Sequence, residues 1–214
     1  MKFIVYPEQL LSIPETNAST TFANKYYFMD FILLNKTDGF YLLNTYHTNF
    51  LTTIFTRFTY FGDGLFCLAT GILLFAFNKR FVSLMVLSSY AISGITVQVL
   101  KYFIIEPRPA VYLKDSSYQY FIEDVTLHNL HAFPSGHTAS AFALAAVLSF
   151  AAKSKTYSIL FLVAAILVGY SRIYLAQHFL TDVLAGAIIG VLSAIICWVF
   201  FEKLFTHLLQ MKKT

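Results

Sequence analysis

Residues 156–205 read TYSILFLVAAILVGYSRIYLAQHFLTDVLAGAIIGVLSAIICWVFFEKLF, two long apolar runs separated around Gln177-His178-Phe179. Each run meets or exceeds the roughly 20 mostly apolar residues that a helix needs to cross about 30 Å of hydrocarbon. Working outward, stretches of the same kind occupy residues 138–152, 81–105 and 62–77. The 138–152 stretch is short and is expected to continue upstream into residues 134–137. The sequence therefore predicts an all-α, polytopic membrane helical bundle with five transmembrane helices over residues 62–77, 81–105, 138–152, 156–177 and 180–205. Composition agrees: of 214 residues 57% are hydrophobic, 18% aromatic and only 12% charged, and mean hydropathy is +0.65. Those values lie far from a soluble domain and exclude collagen-like, coiled-coil and disordered chains.

Charge placement orients the bundle. Asn78-Lys79-Arg80 and Lys153-Ser154-Lys155 are tight turns on one side, and the tail with Lys203, Lys212 and Lys213 reaches the same side. These segments hold seven basic residues and one acid, Glu202, which by the positive-inside rule marks the cytoplasmic face. The other side receives 10 of the 11 carboxylates. The net charge of +4 is thus a matter of topology, and no nucleic-acid partner is expected. Residues 1–61 read as a separate non-cytoplasmic or interfacial segment, and residues 62–214 as the membrane domain. Within the former, residues 27–43 are apolar but carry Asp30, Lys36 and Asp38, each costly at a bilayer centre. An amphipathic interfacial helix is predicted there, with Phe31, Leu33, Leu34, Phe40, Leu42 and Leu43 turned toward lipid. The two cysteines, Cys67 and Cys197, each lie within an apolar run, so neither a disulfide framework nor a thiolate zinc site is indicated.

The informative residues are the ionisable ones at helix ends, because a buried charge needs a partner or a cavity. Lys101 and Arg108-Pro109 follow the second run, Pro134-Ser135-Gly136-His137-Thr138 opens the third, and Ser171-Arg172, His178 and Asp182 lie where the fourth meets the fifth. All map to the outer side. Taken singly, each has an ordinary explanation: a helix cap at Ser135, a structural ion pair of His178 with Asp182, and snorkelling of Lys101 and Arg108 to the headgroups. Their coincidence on one face points further. Free amides at a helix start favour an anion, and arginine presents a planar fork to phosphate oxygens. A carboxylate four residues from a histidine can fix its tautomer and leave the other ring nitrogen as nucleophile or base. Three cations, a helix N-terminus and two histidines suit phosphoryl transfer through a phosphohistidine, one histidine attacking and the other donating a proton. His128 and His131, with Asp115, Glu123 and Asp124, read as loop decoration rather than a metal site.

Three motifs now stand in order: Lys101, six residues, Arg108-Pro109; Pro134-Ser135-Gly136-His137; and Ser171-Arg172, five residues, His178, three residues, Asp182. In these the sequence resembles the type 2 phosphatidic acid phosphatase family, which also includes the soluble vanadium haloperoxidases and related acid phosphatases. The resemblance covers residues 62–205. It implies that His178 attacks phosphorus, that Asp182 orients and polarises it, and that His137 protonates the leaving oxygen. Lys101, Arg108 and Arg172, with Ser135 and the Gly136 amide, would hold the phosphate oxygens, and Ser171 belongs to the pattern. The family is metal-independent, so neither metal nor cofactor is expected. Its membrane branch usually shows six spans, and the amino-terminal segment stands where the first would be, as an interfacial or substitute sixth helix.

The activity implied is an integral-membrane lipid phosphatase acting on a lipid phosphate or pyrophosphate: undecaprenyl pyrophosphate, phosphatidylglycerophosphate, phosphatidic acid or a lipid A phosphate. The implied setting is a bacterial plasma membrane with the site on the outer, periplasmic face, and with membrane lipids rather than an obligate protein as partners. A lipid phosphotransferase with the same site, or a non-catalytic transporter, is the alternative; transport would survive His178→Ala. A neutral His178 and a protonated His137 predict a bell-shaped pH–rate profile.

Overall fold

The computed structural model describes residues 36–114, 122 and 128–211, and the side chains of all of these except 205–209. Residues 35–214 form one compact unit. The elements in chain order are α1 (Lys36–Leu43), α2 (Asn49–Phe58), a 3-10 turn (Thr59–Gly62), α3 (Gly64–Ala76), α4 (Arg80–Phe103), the single turn α5 (Pro109–Tyr112), α6 (Gly136–Ala152), α7 (Lys155–Tyr174) and α8 (Leu180–Met211). Among the described residues the only β pairing is an isolated bridge between Pro107 and Leu130.

Helices form in all five predicted segments, but five spans are not confirmed by length and apolarity among the described residues. Among the described residues, three helices are long and apolar enough to cross a membrane: Arg80–Phe103, Lys155–Tyr174 and the Leu180–Leu204 part of α8. A fourth span requires joining Asn49–Gly62 to Gly64–Ala76, a pair bent by 57°. The break has a local cause, because the Asp63 carboxylate accepts the Leu65 amide at 2.9 Å and starts a new helix there. The third segment is likewise shorter than a span. Ser135 caps it, its hydroxyl accepting the Thr138 amide at 3.4 Å, so the helix opens at Gly136 and runs 17 residues.

The predicted interfacial helix is described only from Lys36 onward, and Phe31, Leu33 and Leu34 lie outside the described residues. Its remaining part corrects the expected facing. Leu42 is 60% exposed, as expected, whereas Phe40 is fully buried with its ring 5.4 Å from that of Phe179, and Leu43 packs half-buried beside it. The helix turns Phe40 inward because Leu113 after α5, Ile173 of α7, Phe179 of the connecting loop and Val183 of α8 together offer an apolar cluster.

Helix α6 sits centrally, with α4, α7 and α8 packed around it and α3 leaning chiefly on α4. The closest approach is between α6 and α8. A Cβ at Gly186 would stand 2.5 Å from the Ser135 carbonyl oxygen, and one at Gly190 would stand 2.3 Å from that of Ala139. Small residues spaced four apart thus let two backbones touch, the packing that lipid-embedded helices favour. Below this contact a core of Met85, Val86, Leu144, Val147 and Ala194 includes both cysteines, buried and unpaired. Because consecutive long helices alternate in direction, the starts of α3, α6 and α8 and the ends of α4 and α7 gather at one end.

Candidate active site

That shared end collects every motif residue. Lys101 lies in the last turn of α4 and Arg108 caps the short α5. Ser135, Gly136 and His137 open α6, Arg172 lies in the last turn of α7, and Asp182 lies in the first turn of α8. His178 occupies the connection between α7 and α8. The chain makes this tight turn through Ala176, whose φ of 51° is left-handed, while the Gln177 and His178 amides both donate to the Arg172 carbonyl, at 2.9 and 3.2 Å. The turn carries His178 back toward Arg172.

His178 and Asp182 are buried, at 2% and 0% exposure. Nδ1 of His178 stands 3.5 Å from Oδ2 of Asp182, within ion-pair reach but long for a hydrogen bond. That oxygen instead accepts the Phe179 amide at 2.9 Å, the reach-back of a third-position acid to the residue capping its own helix. The structural role of Asp182 and its partnership with His178 therefore coexist. The Ser135 amide donates to the Asp182 carbonyl at 3.0 Å, joining the start of α6 to the start of α8.

Burial, then the positive charges of Arg172, Arg108 and Lys101, hold the His178 imidazole neutral well below its ordinary range, against a backbone hydrogen bond to Ala132 that pulls the other way. Arg108 is buried too. Its Nε donates to the Leu130 carbonyl at 3.2 Å and its Nη1 to the Gln177 side-chain oxygen at 3.2 Å. Arg172 donates from Nη1 to the Thr59 hydroxyl at 2.6 Å. Three buried polar atoms, Nε of Arg172, Nδ1 of His178 and Oδ1 of Asp182, have no hydrogen-bond partner. Such atoms are uncommon in a folded interior and call for an explanation; here all three belong to one constellation.

The remaining motif members divide. His137, on the first turn of α6, packs against Gly62, where a Cβ would come within 2.7 Å of the His137 carbonyl oxygen. Gly136 owes nothing to crowding, since a Cβ there would meet only Val97, at 3.7 Å. The Ser171 hydroxyl donates to the Val168 carbonyl of its own helix at 2.6 Å. Among the loop histidines, His131 pairs through Nδ1 with the Lys101 carbonyl at 2.9 Å, which pins the loop to the end of α4. Asp115, Glu123 and Asp124 lie outside the described residues.

A family model, the PAP2 superfamily, matches residues 82–206, a span that contains all three motifs. The chain belongs to the PAP2 superfamily. Among PAP2 proteins it is 30% identical over 169 residues to phosphatidylglycerophosphatase B of Bacillus subtilis, covering 72% of this chain and 77% of that one. It is also 30% identical over 121 residues to an undecaprenyl-diphosphatase of Sulfolobus acidocaldarius, 56% of each chain. The crystal structure of LpxE from Aquifex aeolicus superposes with a TM-score of 0.63 at 34% identity, covering 74% of this chain and 92% of the other. The protein is accordingly a membrane phosphatase of the PAP2 lipid phosphatase type.

Two residues of this PAP2 site escaped the sequence reading. Thr59 and Gln177 hold Arg172 and Arg108, yet a threonine or glutamine beside an apolar run is unexceptional. For Gln177, its place next to His178 was the one available signal.

Proposed function

We propose that the chain is a metal-independent hydrolase of a lipid phosphate or pyrophosphate, working through a phosphohistidine on His178. The observation that carries this is the convergence of a buried, neutral His178, 3.5 Å from the Asp182 carboxylate, with Arg108 and Arg172. In the first step His178 carries its proton on Nδ1, facing Asp182, and its other ring nitrogen, freed from the Ala132 carbonyl, attacks phosphorus. An N–P bond forms, the P–O bond to the lipid oxygen breaks, and His137 gives that oxygen its proton. In the second, water attacks phosphorus, neutral His137 takes its proton, and the N–P bond breaks to release inorganic phosphate. Both histidines return to their starting states.

Lys101, Arg108 and Arg172, the Ser135 hydroxyl and the Gly136 amide at the start of α6 bind the phosphate oxygens and the charge that grows on them. Asp182 holds the His178 ring and stabilises its positive charge once phosphorus is bound. Basic residues at the far end of the bundle support a site on the outer face of a bacterial plasma membrane. Relatives acting, by their names, on a phosphatidylglycerophosphate and on undecaprenyl diphosphate support a substrate from that group, together with phosphatidic acid and lipid A phosphates.

The test is phosphate release in mixed micelles with EDTA present, across that panel of lipids, beside His178→Ala. Release that resists EDTA and falls about a thousandfold or more in the variant is expected. Release that needs a divalent ion, or that His178→Ala retains, would overturn the mechanism.

A further inference from the structure

An apolar groove of about 240 Å³ lies in the wedge where α3 leans away from α6 and α7. No polar side chain lines it. Alanines form its floor, Ala141 and Ala145 on α6 and Ala164 on α7, while Phe58, Phe61 and Phe66 stand around it. Its upper end adjoins the site along the chain in three places. Val168, in the groove, is one turn before Arg172; Ala141 is one turn after His137; and Phe58 precedes Thr59, whose hydroxyl holds Arg172. Gly62 touches both, since a Cβ there would stand 2.6 Å from Val168 and 3.1 Å from the His137 Cβ. From this junction the groove descends past Ala145 to Leu148, on the order of 16 Å below His137 at 1.5 Å per residue.

From this geometry we infer that the groove seats an acyl or prenyl chain of the same lipid whose phosphate occupies the site, and so sets chain-length preference. The inference rests on the lipid-phosphatase reading of the site. Continuity with the phosphate cluster selects this occupant over a bulk bilayer lipid. A chain lying along α6 from one turn below His137 starts where a phosphoester held by Arg172 would deliver it. Alanines at consecutive turns keep the floor open, and a larger residue at any of them fills it.

The experiment compares long-chain (dipalmitoyl) with short-chain (dibutyryl) phosphatidic acid in one detergent, for the wild type, Ala145→Phe, Ala164→Phe and the outward-facing control Leu162→Phe. Leu162 is 48% exposed and lies off the groove. In both alanine variants the ratio of long-chain to short-chain kcat/KM is expected to fall about tenfold or more, through the long-chain KM, with the control ratio unmoved. A ratio unchanged in both, with His178-dependent release intact, overturns the groove and leaves the catalytic reading standing. No release by the wild type from either lipid counts against phosphatidic acid as the substrate, and leaves the groove to a second measurement. Cross-linking then decides the groove independently: His178→Ala protein is irradiated with a phosphatidic acid carrying a diazirine in its chain, and the label is mapped. Label on residues 141–148 and 161–168 is expected; label elsewhere, or the same label from a phosphate-free lipid, overturns the proposal.

Discussion

Arg172 is 93% shielded at the end of a membrane helix, and one of its nitrogens, Nε, has no partner while Nη1 rests on Thr59. Burying a guanidinium so sparsely bonded is costly unless an anion completes it, so the Thr59 hydroxyl does a specific job: it fixes the fork's direction. Thr59→Val keeps the shape and removes the acceptor. A hydrogen bond to a charged group is worth about 1.5–3 kcal/mol, so kcat/KM is expected to drop about tenfold or more, with Thr59→Ser restoring most of it in the same phosphate-release assay. The residues proposed for the chemistry stood out in the sequence because a lysine, an arginine or a histidine at the edge of an apolar run demands a reason. Those that hold them did not. Thr59, and Gln177 against Arg108, cost nothing where they stand, and Phe40 reads as lipid-facing until the Phe179 ring is seen beneath it.

Between elements, the decisive contact is α6 against α8, where Gly186 and Gly190 meet the Ser135 and Ala139 carbonyls. The neighbour at Gly190 is backbone on two counts, Ala139 O at 2.3 Å and Ala143 N at 2.8 Å from an added Cβ, so nothing flexible can yield. Gly190→Val is expected to push α8 off α6 and destabilise the protein by about 2–3 kcal/mol, read as a lowered Tm in detergent together with lost activity, because His137 and Asp182 ride on the two helices. Gly94 gives the contrast. A Cβ there meets nothing within 4 Å, and Gly94→Ala in the middle of α4 is expected to be neutral or to stabilise by about 0.5–1 kcal/mol. Hydropathy located all five helical segments, yet run length alone does not register where a cap interrupts a run. Asp63 and Ser135 each start a helix inside or beside an apolar stretch, so among the described residues three helices, or four spans with a bent pair, are long enough to cross.

Over the whole molecule, the motif residues gather at one end while the apolar core lies below them, and pH reaches both through His178. Its folded pKa lies well below the ordinary value, with burial the largest cause and the charges of Arg172, Arg108 and Lys101 next. The unfolded chain therefore takes up a proton near pH 6.5 that the folded chain refuses. The stability this group contributes is full above about pH 6.5 and is lost progressively as pH falls from there toward the folded pKa. Thermal unfolding in detergent, scanned between about pH 7.5 and about pH 5, is expected to show Tm falling with acidity, and more steeply than in His178→Asn, which has nothing to titrate there. The same shift carries the acid limb of the pH–rate profile below the range of an ordinary histidine.

The bond from the Ser135 amide to the Asp182 carbonyl links the helix that bears His137 to the helix that bears Asp182. Both of its atoms are main chain. No codon change at Asp182 can delete it, and at Ser135 only proline removes the donor. The registration of the two helices is thus written into the peptide backbone, out of reach of nearly all point mutation, while the side chains projecting from the same positions stay free to be exchanged one at a time.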